Sequence, residues 1–214
     1  KDMENVKKAV EEWSVILKKE YASSEPGLSI EASEKGEEEV SALTVCCTKT
    51  VIDVLISLPD SVIAMSMDMP GLVQTSINFG ILELRDDELY FANTARSSMT
   101  SQKMWVLDKV KAIVALAKGK TEITGNYPGW SYNPNSVLKD AILNSYKKLF
   151  GKEAKVDAVH AGIECGLFAD SIENLDCVSI GPEMAEVHTP NEHFSISSVK
   201  RTYELLCDVL KESK

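Results

Sequence analysis

The sequence predicts a mixed α/β (α+β) protein, a ferredoxin-like βαββαβ unit followed by a portion of a second, α/β sheet domain. Three observations carry that expectation. Residues 28–124 spell strand, helix, strand, strand, helix, strand, the order of an antiparallel sheet covered on one face by two helices. The stretch from Asn126 to Pro134 holds two prolines, a glycine and two asparagines and reads as a connector. Beyond it, helices alternate with short apolar strands, the pattern of part of an α/β sheet.

Residues 1–20 place Met3, Val6, Val10, Trp13, Ile16 and Leu17 at three- and four-residue spacing, one apolar helix face. The chain opens in mid-helix and without Met, which reads as a truncation. Glu25-Pro26-Gly27 breaks the helix, and Leu28 to Ala32 alternates as a strand does. The acidic run Glu34 to Glu39 is expected to be a solvated loop. Ser41 to Leu58 has the length of a buried helix, ended by Pro59-Asp60. Leu72 to Leu84 and Glu88 to Thr94 flank the polar Arg85-Asp86-Asp87 and predict a hairpin. Met99 to Ala117 predicts a helix with Trp105, Val106, Val110, Ile113 and Leu116 inward and Gly119 as its C-cap. Thr121 to Thr124 is a short predicted strand. After the connector come a helix over 136–150 ended by Gly151 and a strand over 156–159. A short helix over 164–170, a strand over 175–180 and a final helix over 197–211 complete the chain.

Composition removes several function classes. Acidic residues outnumber basic ones 33 to 23, a formal net charge of −10, and no basic stripe offsets it, so nucleic acid is not an expected partner. No apolar run approaches the roughly 20 residues that cross a bilayer, so no membrane is expected either. The five cysteines, one adjacent pair among them and no CxxC, argue against a disulfide framework or zinc ribbon and fit a reducing cytoplasm. There is no GxSxG elbow, Walker loop, HExxH or GxGxxG after a strand.

Three places carry candidate chemistry. Val159 to Gly166 leaves a strand through a glycine-containing turn and enters a helix, a junction whose N–H groups can hold an anion. Gly162 would let a ligand approach the main chain. Taken locally, His160 is read as a satisfied turn residue and Glu164 as a first-turn carboxylate favoured by the helix dipole. Gly181 to Glu192 is a loop after an apolar strand and carries His188, which read alone is a structural histidine or a zinc donor oriented by Glu186 or Glu192. His193 is read as a surface residue. Arg96 ends a strand and read locally is an exposed loop arginine or a bidentate partner for a carboxylate. Ser97 and Ser98 are read as helix caps.

Taken together, HAGIECGLF, SIGPEMAEVHTPNE, NTARSS and YPGWSYNPNS resemble the aminoacyl-histidine (Xaa-His) dipeptidases of the M20 metallopeptidase family, from about residue 26 to the end. The resemblance implies the later part of a lid/dimerisation domain over 1–127 and the C-terminal portion of a zinc-peptidase catalytic domain over 128–214. It implies a cytoplasmic homodimer formed through the lid, a dipeptide substrate and two zinc ions. By the same resemblance His188 is a zinc ligand, Arg96 holds the substrate's C-terminal carboxylate, and Gly162 gives it a main-chain contact. The family's His-x-Asp segment, bridging aspartate, remaining acidic ligand and general-base glutamate have no counterpart here. No catalytic residue is therefore expected in this stretch, and weak zinc binding and no peptidase activity are. A non-catalytic dimerisation module and another M20-type peptidase or deacylase are the alternatives.

Overall fold

A computed structural model describes residues 2–34, 36, 39, 42–85 and 88–212. The chain divides into two compact units, Lys1–Thr44 and Val45–Lys214. The first holds helix α1 (Asp2–Glu20), as its apolar spacing predicts. Leu28 to Ala32, an expected strand, is irregular. Alternation shows that a segment can lie extended, but a strand also needs an edge to pair with. Of the expected acidic loop, Glu34 and Glu39 are exposed, Glu34 lying 3.7 Å from Lys7, while Lys35, Glu37 and Glu38 fall outside the described residues.

In the second unit α2 (Val45–Ser57) ends just before Pro59, as expected, but it is not a buried helix. Ser41 lies outside the described residues. None of the helix's residues is buried, because its apolar side chains encircle it. Val54 reaches the core, with Leu58 just beyond the helix, while Val45, Ile52 and Ile56 face solvent.

The sheet has three antiparallel strands in the order β1 (Ser61–Met65), β2 (Val73–Arg85), β3 (Glu88–Ser97). The β2–β3 hairpin was legible in the sequence, although its turn residues Asp86 and Asp87 lie outside the described residues. Strand β1 was not foreseen. Its signal is the short apolar run Val62-Ile63-Ala64-Met65 after Pro59-Asp60, and the Asp60 carboxylate accepts the Phe79 N–H at 2.9 Å beside it.

Alternation along β2 sends Thr75, Ile77 and Phe79 to one face, paired with Ser97, Ala95 and Asn93 of β3. Helix α3 (Thr100–Leu116) lays Val106, Val110 and Val114 on that face to form the main core with Ile77 and Leu58. Trp105 and Leu116, expected inward, are exposed, because the buried stripe runs through Val106, Val110 and Val114. The sheet's other face carries Ser76, Asn78, Thr94 and Arg96. The helix ends with Lys118 at φ 59° and the Gly119 N–H on the Val114 carbonyl at 2.9 Å, a Schellman-type close. Glycine is required at 119 by contact, since a Cβ would sit 2.7 Å from Val114 Cγ1. Thr121 to Thr124, an expected strand, is irregular.

The connector returns against the end of β3. Gly129 approaches so closely that a Cβ would lie 2.5 Å from the Ser98 carbonyl oxygen, and Ser131 Oγ donates to that oxygen at 2.9 Å. Helix α4 (Val137–Phe150) has Ser136 as N-cap, accepting from the Lys139 N–H, and left-handed Gly151 as its stop. Helix α5 (Glu164–Ser171), the two-residue ladder of β4 (Met184–Ala185) with β5 (His193–Phe194), and α6 (Ile196–Glu212) follow. Helices α4 and α6 share a small core of Ile142, Leu205 and Val209 with Val178 against it, and Lys148 ties them through Asp208 and Glu212. The expected strands over 156–159 and 175–180 are irregular and have no neighbouring strand among the described residues.

Ile77 is 1% exposed and Val45 is 89% exposed. Ile77→Ala should lower unfolding free energy in urea by about 3 kcal/mol, through lost burial plus a cavity. Val45→Ala should stay within about 0.5 kcal/mol of the parent protein.

Candidate functional site

The register of β2 and β3 sets the site. Arg96 pairs directly with Ser76, so guanidinium and hydroxyl stand side by side on the face that α3 leaves open. Arg96 is exposed and forms no ion pair among the described residues. Neither neighbouring serine caps α3 by its side chain, since the N-cap position is Met99. Instead Ser97 Oγ lies 2.8 Å from Thr75 Oγ1 and accepts the Met99 N–H at 3.0 Å, and the Ser98 carbonyl serves Ser131.

His160 joins this pair from far along the chain. Its Nε2 lies 2.6 Å from Ser76 Oγ, and the ring is half-buried. Burial, and then the positive charge of Arg96, push its pKa below the ordinary 6.5, against a hydrogen bond toward the Val73 carbonyl that raises it. The ring is thus favoured in its neutral form. Local pattern had made His160 a satisfied turn residue. It is satisfied, but by β2, the strand paired with the one that carries Arg96.

Two residues on, Gly162 presses against the ring of Tyr127, where a Cβ would stand 3.2 Å from Cδ1. The Tyr127 carbonyl accepts from Lys103 Nζ on α3, a lysine only 6% exposed. Burial, and then Glu164 and Cys165, hold the Tyr127 hydroxyl pKa above its ordinary value. Ser76, Tyr127 and Lys103 were not singled out by sequence. Ser76 had no signal of its own, because only the register reveals its partner.

His188 sits in a tight loop, left-handed at φ 65° as Glu186 is at φ 52°. Such backbone is uncommon for residues other than glycine and is found at functional turns. Glu192, expected to orient the imidazole, instead accepts the His188 main-chain N–H at 2.8 Å, and the Glu186 carbonyl accepts from Thr189. The carboxylate is committed to holding the turn, and the ring is left exposed. His193, at the surface as expected, makes a 2.8 Å contact with the Asn191 carbonyl.

Arg96, His160, Gly162 and His188 line the same open cleft. Among the described residues no group of three His, Cys, Asp or Glu side chains is placed to hold a metal ion. A catalytic zinc needs about three protein ligands, so the donors present here do not fit a metal centre by themselves. All five cysteines are free thiols.

The model of the peptidase family M20/M25/M40 matches residues 17–212. The cytosol non-specific dipeptidase of Escherichia coli is 34% identical over 207 residues, covering 97% of this chain and 42% of that protein. Among solved structures, the aminoacylhistidine dipeptidase from Vibrio alginolyticus superposes with a TM-score of 0.85 at 26% identity, covering 94% of this chain and 41% of that one. Aminopeptidase PepT from Bacillus cereus shares the fold, with a TM-score of 0.62 at 17% identity over 78% of this chain and 45% of that one. The chain spans less than half the length of each of these relatives.

Because the folded pKa of His160 is lowered, the unfolded chain takes up its proton first as pH falls. This contribution is complete above about pH 6.5 and is lost as pH drops from there through the lowered folded value. Urea midpoints measured against pH should show that loss, and His160→Gln should remove it. Asp176 is lowered chiefly by the Leu138 N–H and Asp208 chiefly by Lys148, so both act in a separate, more acidic window below their ordinary 3.8.

Proposed function

The chain belongs to peptidase family M20/M25/M40, and on that premise we propose that it supplies the carboxylate-recognising side of a dipeptidase acting on Xaa-His and related dipeptides. The observation that carries the proposal is the unpaired Arg96 guanidinium, beside Ser76 and His160, in the cleft that Gly162 and His188 also line. A guanidinium with no internal carboxylate partner is open to one from a ligand, and it accepts a planar carboxylate in two parallel hydrogen bonds. Pairing with the C-terminal carboxylate would measure substrate length. Gly162 would let the substrate backbone lie against the main chain.

His188 is proposed as one zinc donor, supported by its exposed ring and the loop strained to present it. The further donors and the general base would come from residues other than those described. The lid/dimerisation and catalytic portions are proposed to meet between residues 127 and 128, within the connector. A cytoplasmic homodimer through the lid belongs to the same reading, supported by the exposed Val45, Ile52 and Ile56 of α2 and by the cytosolic E. coli relative. The runner-up reading, a non-catalytic dimerisation module, draws on the same apolar side chains. It gives Arg96 no task.

In the complete enzyme, Arg96→Ala should raise the KM for dipeptides by about tenfold to a hundredfold, the worth of a charge-assisted hydrogen bond. An unchanged KM would remove Arg96 from the site. Calorimetric titration of the 214-residue chain with zinc should give no tight stoichiometric binding, since one imidazole is not a donor set. Tight binding at one or two equivalents would contradict the assignment.

A further inference from the structure

The segment between α4 and α5, which lines the cleft, is tethered by side chains rather than by main-chain hydrogen bonds. Residues 152–162 make no backbone–backbone hydrogen bond with other described residues, and the side-chain bonds of Lys155, Asp157 and Ala158 stay within three neighbouring positions. Val156 and Val159 are exposed. Such a segment would be expected to open easily. Glu153 pairs with Lys147 on the neighbouring helix, and His160 ties the segment to the sheet, through the 2.6 Å contact of its Nε2 with Ser76 Oγ across 84 positions and a hydrogen bond toward the Val73 carbonyl. Ser76 is also the residue directly opposite Arg96.

We propose that Ser76 and His160 form a positioning clasp that holds the main chain leading into Gly162 at the side of Arg96, so that guanidinium and glycine backbone act on one ligand. This inference rests on the reading of Arg96 as the anchor of a substrate carboxylate. Neither clasp residue is a catalytic residue. A short hydroxyl–imidazole contact is directional and fixes the ring against Ser76, the residue opposite Arg96. A neutral ring sits beside Arg96 without repelling it, where a lysine at 160 would compete for the same carboxylate. The other restraint on the turn is steric: the Tyr127 ring packs on Gly162, and Lys103 holds the Tyr127 carbonyl. Packing alone leaves the turn free to slide along the ring face. The clasp removes that freedom, and an anchored turn loses less entropy when a ligand binds.

The test uses the 214-residue chain with glycylglycine as the probe. Backbone order over residues 158–163, by nitrogen relaxation, and the probe's affinity, by NMR titration, are measured for Ser76→Ala, His160→Ala, Ser76→Thr and Arg96→Ala. The clasp predicts that the first two lower the order of this segment and weaken the probe by about threefold to tenfold, the range of one net hydrogen bond. Ser76→Thr, which keeps the hydroxyl, should behave as the unaltered chain. That rescue separates loss of the contact from a general loosening. If Arg96→Ala abolishes binding while Ser76→Ala and His160→Ala leave affinity or backbone order unchanged, the clasp is overturned and the carboxylate reading stands. If Arg96→Ala leaves affinity unchanged, or the unaltered chain does not bind the probe at millimolar concentration, the carboxylate reading falls and the clasp falls with it.

Discussion

The cleft depends on the antiparallel register of β2 against β3. Side chains alternate between the two faces of a strand, so a slip by one residue would exchange the whole set. Were β2 to slip, Ile77 would leave the core for solvent and Ser76 would turn under α3, away from Arg96 on β3. Burial of Ile77 with Val106 and Val110 therefore fixes more than stability. It decides whether Ser76 shares a face with Arg96. The bulge at Gly80 shifts the count by one beyond Phe79, so that Leu82 stands opposite Phe91 and Leu84 opposite Leu89 in the outer half of the hairpin.

An acidic chain with a net charge of −10 is an unexpected host for the carboxylate-binding site proposed at Arg96. Distance resolves the conflict. Charges separated by more than about 8 Å are largely screened at physiological ionic strength, so the overall charge weakly opposes approach. A guanidinium without an internal carboxylate acts at hydrogen-bond range, where its own field dominates. The His160 pKa is depressed first by burial and then by this same charge, which disfavours a second cation beside it.

Legibility followed how local each determinant was. Helices α1, α3, α4, α5 and α6 were readable because spacing, caps and stops lie within the segment itself, as with Ser136 and Gly151 around α4. The β2–β3 hairpin was readable because its polar turn separates two alternating runs. The strands expected at 28–32, 121–124, 156–159 and 175–180 failed for one shared reason. Pairing needs a neighbouring edge, and an edge is not a property of the segment that seeks it. The same limit hid Ser76. Arg96, Gly162 and His188 were found through motif resemblance, and the structure places all three on one cleft. The Ser76 hydroxyl, which meets His160, sits in an unremarked strand position whose meaning comes from its register partner Arg96.

The conformation of the His188 loop bears on how a chain that offers a single proposed metal donor can serve a metal-dependent family. A left-handed non-glycine residue costs on the order of 1 kcal/mol or more, and two of them, Glu186 and His188, lie two positions apart. The Glu192 carboxylate on the His188 N–H and the Thr189 hydroxyl on the Glu186 carbonyl offset part of that cost with bonds to the main chain. None of these bonds constrains the imidazole, and its exposure means that no packing rewards the strain. The loop spends its polar groups on backbone shape and leaves its ring unengaged, as the donor role proposed for His188 requires. The unpaired Arg96 follows the same logic at the opposite charge. Each presents a single strong group, held by main chain or strand register, whose complement is not among its own neighbours.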